Sequence, residues 1–319
     1  MFELNLPGVI LYGAGNMGRS VIDFFDYIGI GKVVEAFCDK NANVIKTVRR
    51  RNVYLFSEIK DKNYEFIITI QSESIKTEII QQLQKNNCVF YRNFNEWAVA
   101  HGFDMIKWNR DFCAFYHIED MDDYFKKAEN EEYMDVFWND DSPFFQMFQN
   151  INLDNIIELA CGHGRHVLKY IDNTKNLTLV DILEKNINIC KKRFCNYGNI
   201  YYYHNNGYDL SELEDESYTG LFTYDSMVHF EMFDINCYLK ETYRVLKPGS
   251  FALFHHSNND IDYKATYADA HYGRSFMSKK LFAYLAYRAG FQIIEQEVID
   301  WGKDKNLDCI TLLKKPDIK

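Results

Sequence analysis

Several absences narrow the class of this chain before any motif is considered. No excess of positive charge exists: 36 Lys and Arg stand against 46 Asp and Glu, a formal net charge of −10. A nucleic-acid-coating protein is disfavoured, because a phosphate backbone rewards clustered positive charge. The two longest basic runs, Arg49 to Arg51 and Lys191 to Arg193, read as solvated faces. No apolar stretch reaches the ~20 residues that span a bilayer, and Met1-Phe2-Glu3-Leu4 lacks the charged-then-apolar layout of a signal peptide. A cytoplasmic protein without a membrane span is expected.

Paired cysteines are missing as well. The eight at 38, 88, 113, 161, 190, 195, 237 and 309 contain no C-x-x-C and no paired metal spacing, so they read as reduced thiols, mostly buried. Proline is scarce, at 4 residues, and there is no repeat at solenoid spacing and no low-complexity linker. Aromatics reach 16%, so a single ring is weak evidence for a stacking platform. Hydrophobic residues at 47% and charged residues at 26% indicate a globular chain with real cores. At 319 residues it is long for one α/β domain and right for two.

Short apolar runs alternate with amphipathic segments over the first hundred residues, the pattern of βαβ units. Strands are expected at 9–12, 33–38, 66–70 and 88–91, with helices over 16–27 and 74–84. From about 118 to 150 apolar residues recur at helical spacing through Met121, Tyr124, Phe125, Ala128 and Tyr133, then Val136 to Trp138. Strands are expected again at 156–159, 177–180, 199–203, 220–224, 251–255, 291–298 and 309–313, the last two as an antiparallel hairpin. The resulting division is a small Rossmann-like nucleotide-binding-type domain over 1–100, a helical connector over 101–150 packed on the second domain, and a second α/β domain over 151–319.

Two glycine loops stand where a strand should turn into a helix. In Glu158-Leu159-Ala160-Cys161-Gly162-His163-Gly164-Arg165, Gly162 and Gly164 let the backbone approach a ligand, and a following helix would offer its first N–H groups. A dinucleotide fingerprint wants a small residue at 167, where Val167 stands. Asp181 ends the next strand, placed to accept from both ribose hydroxyls of a nucleoside, and Asn206-Gly207 follows the third, where an amide can bond an adenine edge. The rival readings are a tight turn for the glycine loop, a helix cap for Asp181 and a turn residue for Asn206.

The order of these motifs resembles the class I S-adenosylmethionine-dependent methyltransferases. The resemblance runs from about Phe137 to Leu313, through Tyr224 to His229 after the fourth strand and Tyr243-Arg244-Val245-Leu246-Lys247-Pro248-Gly249 before the fifth. Ala160 and Ser250 stand where many members have glycine. The resemblance implies a seven-stranded sheet with an antiparallel last strand, and with the N-terminal segment the expected fold is α/β with two Rossmann-like domains. It also implies S-adenosylmethionine as cofactor, contacted by Glu158, Ala160, Gly162, Gly164, Arg165, Asp181, Ile182, Asn206 and Gly207. Trp138 and Tyr133 are expected to cover the cofactor or to pack in the core.

The methyl acceptor belongs at the carboxyl ends of the fourth and fifth strands, where Asp225, His229, His255 and His256 are the candidates for a base, since histidine titrates in the useful range. Nearby carboxylates are few, so no metal is expected. Arg274, Tyr267 and Tyr272, in the polar and aromatic stretch from Asp260 to Ser278, are candidates for binding substrate. Together with Trp301 and Asp308-Cys309, the His255-His256-Ser257-Asn258 segment resembles bacterial methyltransferases that modify surface sugars. The acceptor is therefore expected to be small and polar, a sugar or sugar nucleotide for a surface glycan, methylated on O or N. The oligomeric state is not legible.

The other loop, Gly13-Ala14-Gly15-Asn16-Met17-Gly18 with Asp39 ending the next strand, fits the dinucleotide fingerprint in context. This domain resembles those on bacterial sugar-modifying enzymes, and either binds a nucleotide or nucleotide-sugar or is a scaffold. Two alternatives to a methyltransferase follow: an NAD-dependent oxidoreductase working through this loop, or a regulatory protein binding nucleotides in both domains. The first lacks a hydride-handling site in the N-terminal half, and the second leaves the histidines unexplained.

Overall fold

The computed structural model describes residues 6–119, 122–264, 266–268 and 270–317. By backbone contact the chain divides into two compact units, Met1–Asp111 and Phe112–Lys319. Met121 of the sequence pattern lies outside the described residues, and so does the side chain of Tyr124.

The first unit holds β1 (Val9–Tyr12), α1 (Asn16–Tyr27), β2 (Val34–Cys38), β3 (Thr47–Val48), β4 (Arg51–Tyr54), α2 (Phe56–Ile59), β5 (Glu65–Ile68), α3 (Glu73–Lys85), β6 (Val89–Tyr91) and α4 (Phe94–Ala100). Its sheet runs β3-β4-β2-β1-β5-β6, parallel except for the short β3. β1 is buried along its whole length, as a central parallel strand covered on both faces must be. The chain therefore turns back between β1 and β5, and the Gly13 to Gly18 loop stands at that switch point. The three glycines have distinct work. A Cβ on Gly18 would strike Gly13 O at 2.1 Å, one on Gly13 would meet Thr69 O at 2.8 Å, and one on Gly15 would meet nothing within 4 Å.

The Arg49 to Arg51 run, expected on a solvated face, leaves Arg49 and Arg50 exposed and forms the β3–β4 turn. Arg49 and Arg50 take φ of 45° and 65°. Arg49 pairs with Asp23 through both carboxylate oxygens, while Arg51 donates to Val34 O and Gly31 O. In the other basic run Arg193 is engaged too, with Glu129 and with His163 O. Four of the eight unpaired cysteines are buried and Cys195 is exposed.

α5 (Met105–Glu119) runs across the division between the units. The second unit continues with α6 (Asp122–Ala128), α7 (Glu131–Trp138), α8 (Pro143–Phe148), β7 (Asn155–Leu159), β8 (Asn176–Asp181), α9 (Glu184–Arg193), β9 (Ile200–His204), β10 (Tyr218–Thr223), α10 (Met232–Val245), β11 (Leu246–Ser257), α11 (Lys279–Ala289), β12 (Gln292–Trp301) and β13 (Asp304–Lys314). Its seven strands run β12-β13-β11-β10-β7-β8-β9. All pairs are parallel except those made by β13, which is antiparallel to both β11 and β12. This is the expected α/β class, with a seven-stranded sheet and an antiparallel last strand.

Alternate residues of the central strands feed two cores, one on each face of the sheet. Ile157, Leu159, Leu221, Ala252 and Phe254 pack with Leu239 and Phe282, while Ile156, Phe222, Leu253 and Ile310 pack with Phe144, Phe148 and Tyr170. One element departs from expectation. No α-helix follows the second glycine loop, and Val167–Lys169 and Ile171–Asn173 are single 3-10 turns. The side chains of Val167, Tyr170 and Ile171 point into the core at helix-like spacing, but Asp172-Asn173-Thr174 is turn chemistry that stops propagation.

Candidate functional site

In a doubly wound sheet, ligands bind beyond the carboxyl ends of the strands, where the strand order reverses. In the second unit that point lies between β7 and β10, and the loops leaving these two strands are tied together. Ser226 Oγ donates to Ala160 O at 3.1 Å, and Arg165 donates to Asp225 Oδ2 at 2.9 Å. Ala160, Gly162 and Gly164 all take left-handed φ, of 56°, 55° and 71°. The glycine usual at position 160 is thus explained: Ala160 holds a conformation that an L-residue adopts at a cost. A Cβ on Gly164 would stand 2.5 Å from the Phe194 ring, and one on Gly162 would stand 2.9 Å from Phe125, which stacks on His163 at 3.9 Å between centroids.

The loop is pinned to the end of β8. Asp181 Oδ2 accepts from Gly162 N–H at 2.9 Å, and Oδ1 accepts from Leu183 N–H and from Asn186 Nδ2. A carboxylate offers about four acceptor sites, so one is left on Asp181 for a ligand hydroxyl. Burial pushes its pKa up to about 6 against the pull of these donors. Glu158 on β7 is buried, accepts from Tyr170 OH, and is raised to about 7, chiefly by desolvation.

Ile182 is half-buried next to Asp181. Asn206 is occupied as a turn residue, accepting from Tyr208 N–H and Asp209 N–H and donating to Asp209 Oδ2, while Asn205 accepts from Gly207 N–H. Trp138 packs among Phe144, Phe148 and Tyr170 and donates to His166 Nδ1 at 3.0 Å.

The three histidines have different surroundings. His229 Nδ1 lies 2.9 Å from Gly273 O. A carbonyl only accepts, so Nδ1 carries the hydrogen and Nε2 keeps its lone pair. Burial, with His117 and Arg274 adding to it, lowers the pKa of this ring to about 3. His255 is wholly buried and accepts from Asp225 N–H at Nδ1, which places its hydrogen on Nε2. That atom lies 3.2 Å from Asp308 Oδ2, close enough to pair but too poorly aligned for a full hydrogen bond. His256, the next residue on β11, faces the other core. There it stacks on Phe282 at 3.8 Å, donates from Nδ1 to Ser257 O and accepts at Nε2 from Thr311 Oγ1.

Arg274 points inward. Its guanidinium makes a two-pronged contact with Asp308, at 2.9 and 2.6 Å, and lies 4.8 Å over the Trp301 ring. These groups are almost entirely buried. Burial alone would raise the Asp308 pKa, but His255 and Arg274 hold it below the ordinary value. The fork of Arg274, a candidate for binding substrate, is therefore spent within the protein. Tyr272 is exposed, at a φ of 51°, whereas Tyr267 packs edge-on against His229 at 5.3 Å.

Sequence reasoning missed His117, whose ring is 5.6 Å from His229 and 5.7 Å from Tyr267. It sits on α5, in the stretch read as a connector. The available signal was a histidine four residues after Cys113, to whose carbonyl its Nδ1 donates at 2.7 Å.

Residues 156–249, from β7 to the turn within β11, match the family model of a methyltransferase domain. The chain carries a methyltransferase domain. The enzyme class is S-adenosylmethionine-dependent methyltransferase, with S-adenosylmethionine as the methyl donor. None of the curated proteins matches this sequence. Among solved structures, the N-methyltransferase NodS from Bradyrhizobium japonicum WM9, in complex with S-adenosyl-L-homocysteine, is similar at 15% identity, over 61% of this chain and 98% of its own, with a TM-score of 0.46. An S-adenosylmethionine-dependent methyltransferase from Mesorhizobium loti shares 13% identity over 54% and 96%, with a TM-score of 0.44. The PH0226 protein from Pyrococcus horikoshii OT3 shares 18% over 63% and 98%, also with a TM-score of 0.44.

Proposed function

We propose that the methyltransferase domain moves the methyl group of S-adenosylmethionine to an oxygen or nitrogen of a small polar acceptor, with a sugar or sugar nucleotide as the acceptor class. The domain match over 156–249 carries the methyl-transfer part of this reading. The polar, aromatic stretch between β11 and α11 supports the acceptor class.

In this reading the cofactor lies across the ends of β7, β8 and β9. The left-handed loop at Ala160, Gly162 and Gly164 gives backbone clearance, and Asp181 offers its remaining acceptor site to a ribose hydroxyl. Ile182 supplies an apolar surface beside it. Bound there, the cofactor supplies an electrophilic methyl on a sulfonium with a neutral leaving group.

The protein must then present a nucleophile in line and take up its proton. His229 is the residue for this role, since its Nδ1–H is fixed on Gly273 O and leaves the lone pair on Nε2; burial keeps the ring unprotonated at neutral pH, so it relays the proton onward rather than holding it. An acceptor hydroxyl exchanges its proton for the methyl group, and the proton passes to His229 Nε2. Asp225 and His255 position this strand end, and His256 supports β11 from the opposite face. Arg274 and Asp308 brace the segment that carries Tyr267.

The first unit is assigned to substrate binding or assembly, with no part in methyl transfer. Incubation of the full chain with methyl-labelled S-adenosylmethionine and a panel of sugars, nucleotide sugars, amino acids and nucleic acids tests the reading by the mass of the products. Label transferred to a sugar supports it, and label found only on amino acids or nucleic acid overturns the acceptor class.

A further inference from the structure

The environment of His117 goes beyond a supporting role. Its Nδ1–H is fixed on Cys113 O, as that of His229 is fixed on Gly273 O. Two imidazoles from separate elements, α5 and the loop after β10, are thus locked in the same tautomer by carbonyls that can only accept. Each keeps an Nε2 lone pair, and neither has a further partner among the described residues. The rings are 5.6 Å apart, and Tyr267 stands within 5.3 and 5.7 Å of them, making an aromatic flank. A separation of 5.6 Å between ring centroids is within the span of two hydrogen bonds of about 2.8 Å, so one small molecule can serve both rings.

The chemistry of the pair selects its ligand. Carboxylates and phosphates bring only lone pairs and would face two more. A cation is disfavoured because burial lowers the pKa of both rings and Arg274 adds positive charge at His229, while the Asp225 carboxylate, which acts the other way on both, is already paired with Arg165. A metal ion wants a third donor, and among the described residues no group of three His, Cys, Asp or Glu side chains converges. What remains is a neutral molecule that donates twice from adjacent atoms and offers an apolar face to Tyr267.

We infer that His117 and His229 together form a vicinal-diol site, each Nε2 accepting from one of two neighbouring hydroxyls of the methyl acceptor. The inference rests on the methyltransferase reading and deepens it. The acceptor is a polyol methylated on oxygen, and His117 holds the hydroxyl next to the one that reacts.

Nitrogen-15 spectra of the full chain labelled at histidine test this, with S-adenosylhomocysteine present and glycerol, 1-propanol and ethylammonium as probes. Glycerol should move the Nε2 resonances of His117 and His229 along one saturation curve, with half-saturation at least fivefold below that of 1-propanol, and ethylammonium should move neither. His117→Phe should raise the glycerol half-saturation at least tenfold and leave affinity for S-adenosylhomocysteine unchanged. Should His117→Phe fail to fold, His117→Gln must show intermediate glycerol binding, because its amide oxygen still accepts. Glycerol moving one ring only or neither overturns the inference, and so does ethylammonium competing equally. Absence of any S-adenosylhomocysteine binding counts against the methyltransferase reading instead, and is seen in a separate titration before any probe is added.

Discussion

Asp181 Oδ2 accepts the N–H of Gly162 at 2.9 Å, so the carboxylate that ends β8 also shapes the glycine loop that leaves β7. The first unit repeats the relationship. There Asp39, at the end of β2, accepts from Ala14 N–H in its own glycine loop at 2.9 Å and from Asn41 N–H two residues on. In both units one acid joins two strand ends at the place where a doubly wound sheet receives a ligand.

Ala160 tests the backbone of that loop. Its left-handed φ costs an L-residue roughly 1–2 kcal/mol, offset by the roughly 0.5–1 kcal/mol of extra chain entropy that glycine loses on folding. Ala160→Gly should therefore leave the protein slightly more stable. Thermal unfolding should show a small rise in Tm, and a marked fall would mean that the Ala160 methyl makes packing contacts worth more than the strain.

Glu158 predicts a pH dependence. Its folded pKa of about 7 lies above the usual carboxyl value of 4.5, so between these values the folded chain holds more protons than the unfolded one. Its contribution to stability is full below about pH 4.5 and is lost as pH rises through 7. At roughly 1.4 kcal/mol per unit the loss is of order 3 kcal/mol. Glu158→Gln, which stays neutral, should gain on the wild type between pH 5 and pH 8. Equal denaturant midpoints for the two proteins at pH 8 would show that Glu158 is ionised without penalty.

The buried Arg274–Asp308 contact predicts a large asymmetry. Asp308→Ala strands a guanidinium with no carboxylate partner, a loss of about 3–5 kcal/mol, readable as a lower urea midpoint at unchanged m-value. Arg274→Met with Asp308→Asn, which removes both charges, should recover part of it. A single variant within about 0.5 kcal/mol of wild type would mean that water reaches the pair.

His229 and His256 should separate by kinetics. His229→Asn should lower kcat for label transfer by roughly 10²-fold or more with little change in affinity for S-adenosylmethionine. His256→Asn should act on stability, since its ring is stacked on Phe282 and hydrogen-bonded on both sides. Equal kcat for His229→Asn and wild type removes the base from His229.

Much of the fold is legible because its signals are local. α1 occupies 16–27, the residues that the sequence pattern gives, because Val21, Ile22, Phe24 and Phe25 face the core from a stretch opened by glycine. The central strands of the second unit show as apolar runs because they are buried on both faces. β3 and β4 were illegible. β3 has two residues, and the turn after it is built from arginines in the left-handed region, where glycine or asparagine would have given it away. The expected helix after Gly164 failed for the opposite reason, since core-facing Val167, Tyr170 and Ile171 imitate helical spacing across two separate turns. At the site, the glycines and Asp181 were found by their order along the strands. The Arg274–Asp308 pair spans 34 residues of sequence and His117 lies outside the motif region, so only the folded chain shows what each one touches.

Isothermal titration of the full chain with S-adenosylmethionine and S-adenosylhomocysteine tests the central claim most directly. The account predicts saturable heat with both ligands, and a loss of about 10- to 150-fold in affinity for Asp181→Ala, the equivalent of roughly 1.5–3 kcal/mol for a charged acceptor. A folded protein that gives no binding heat with either ligand, or an Asp181→Ala variant that binds both as tightly as the wild type, would contradict it.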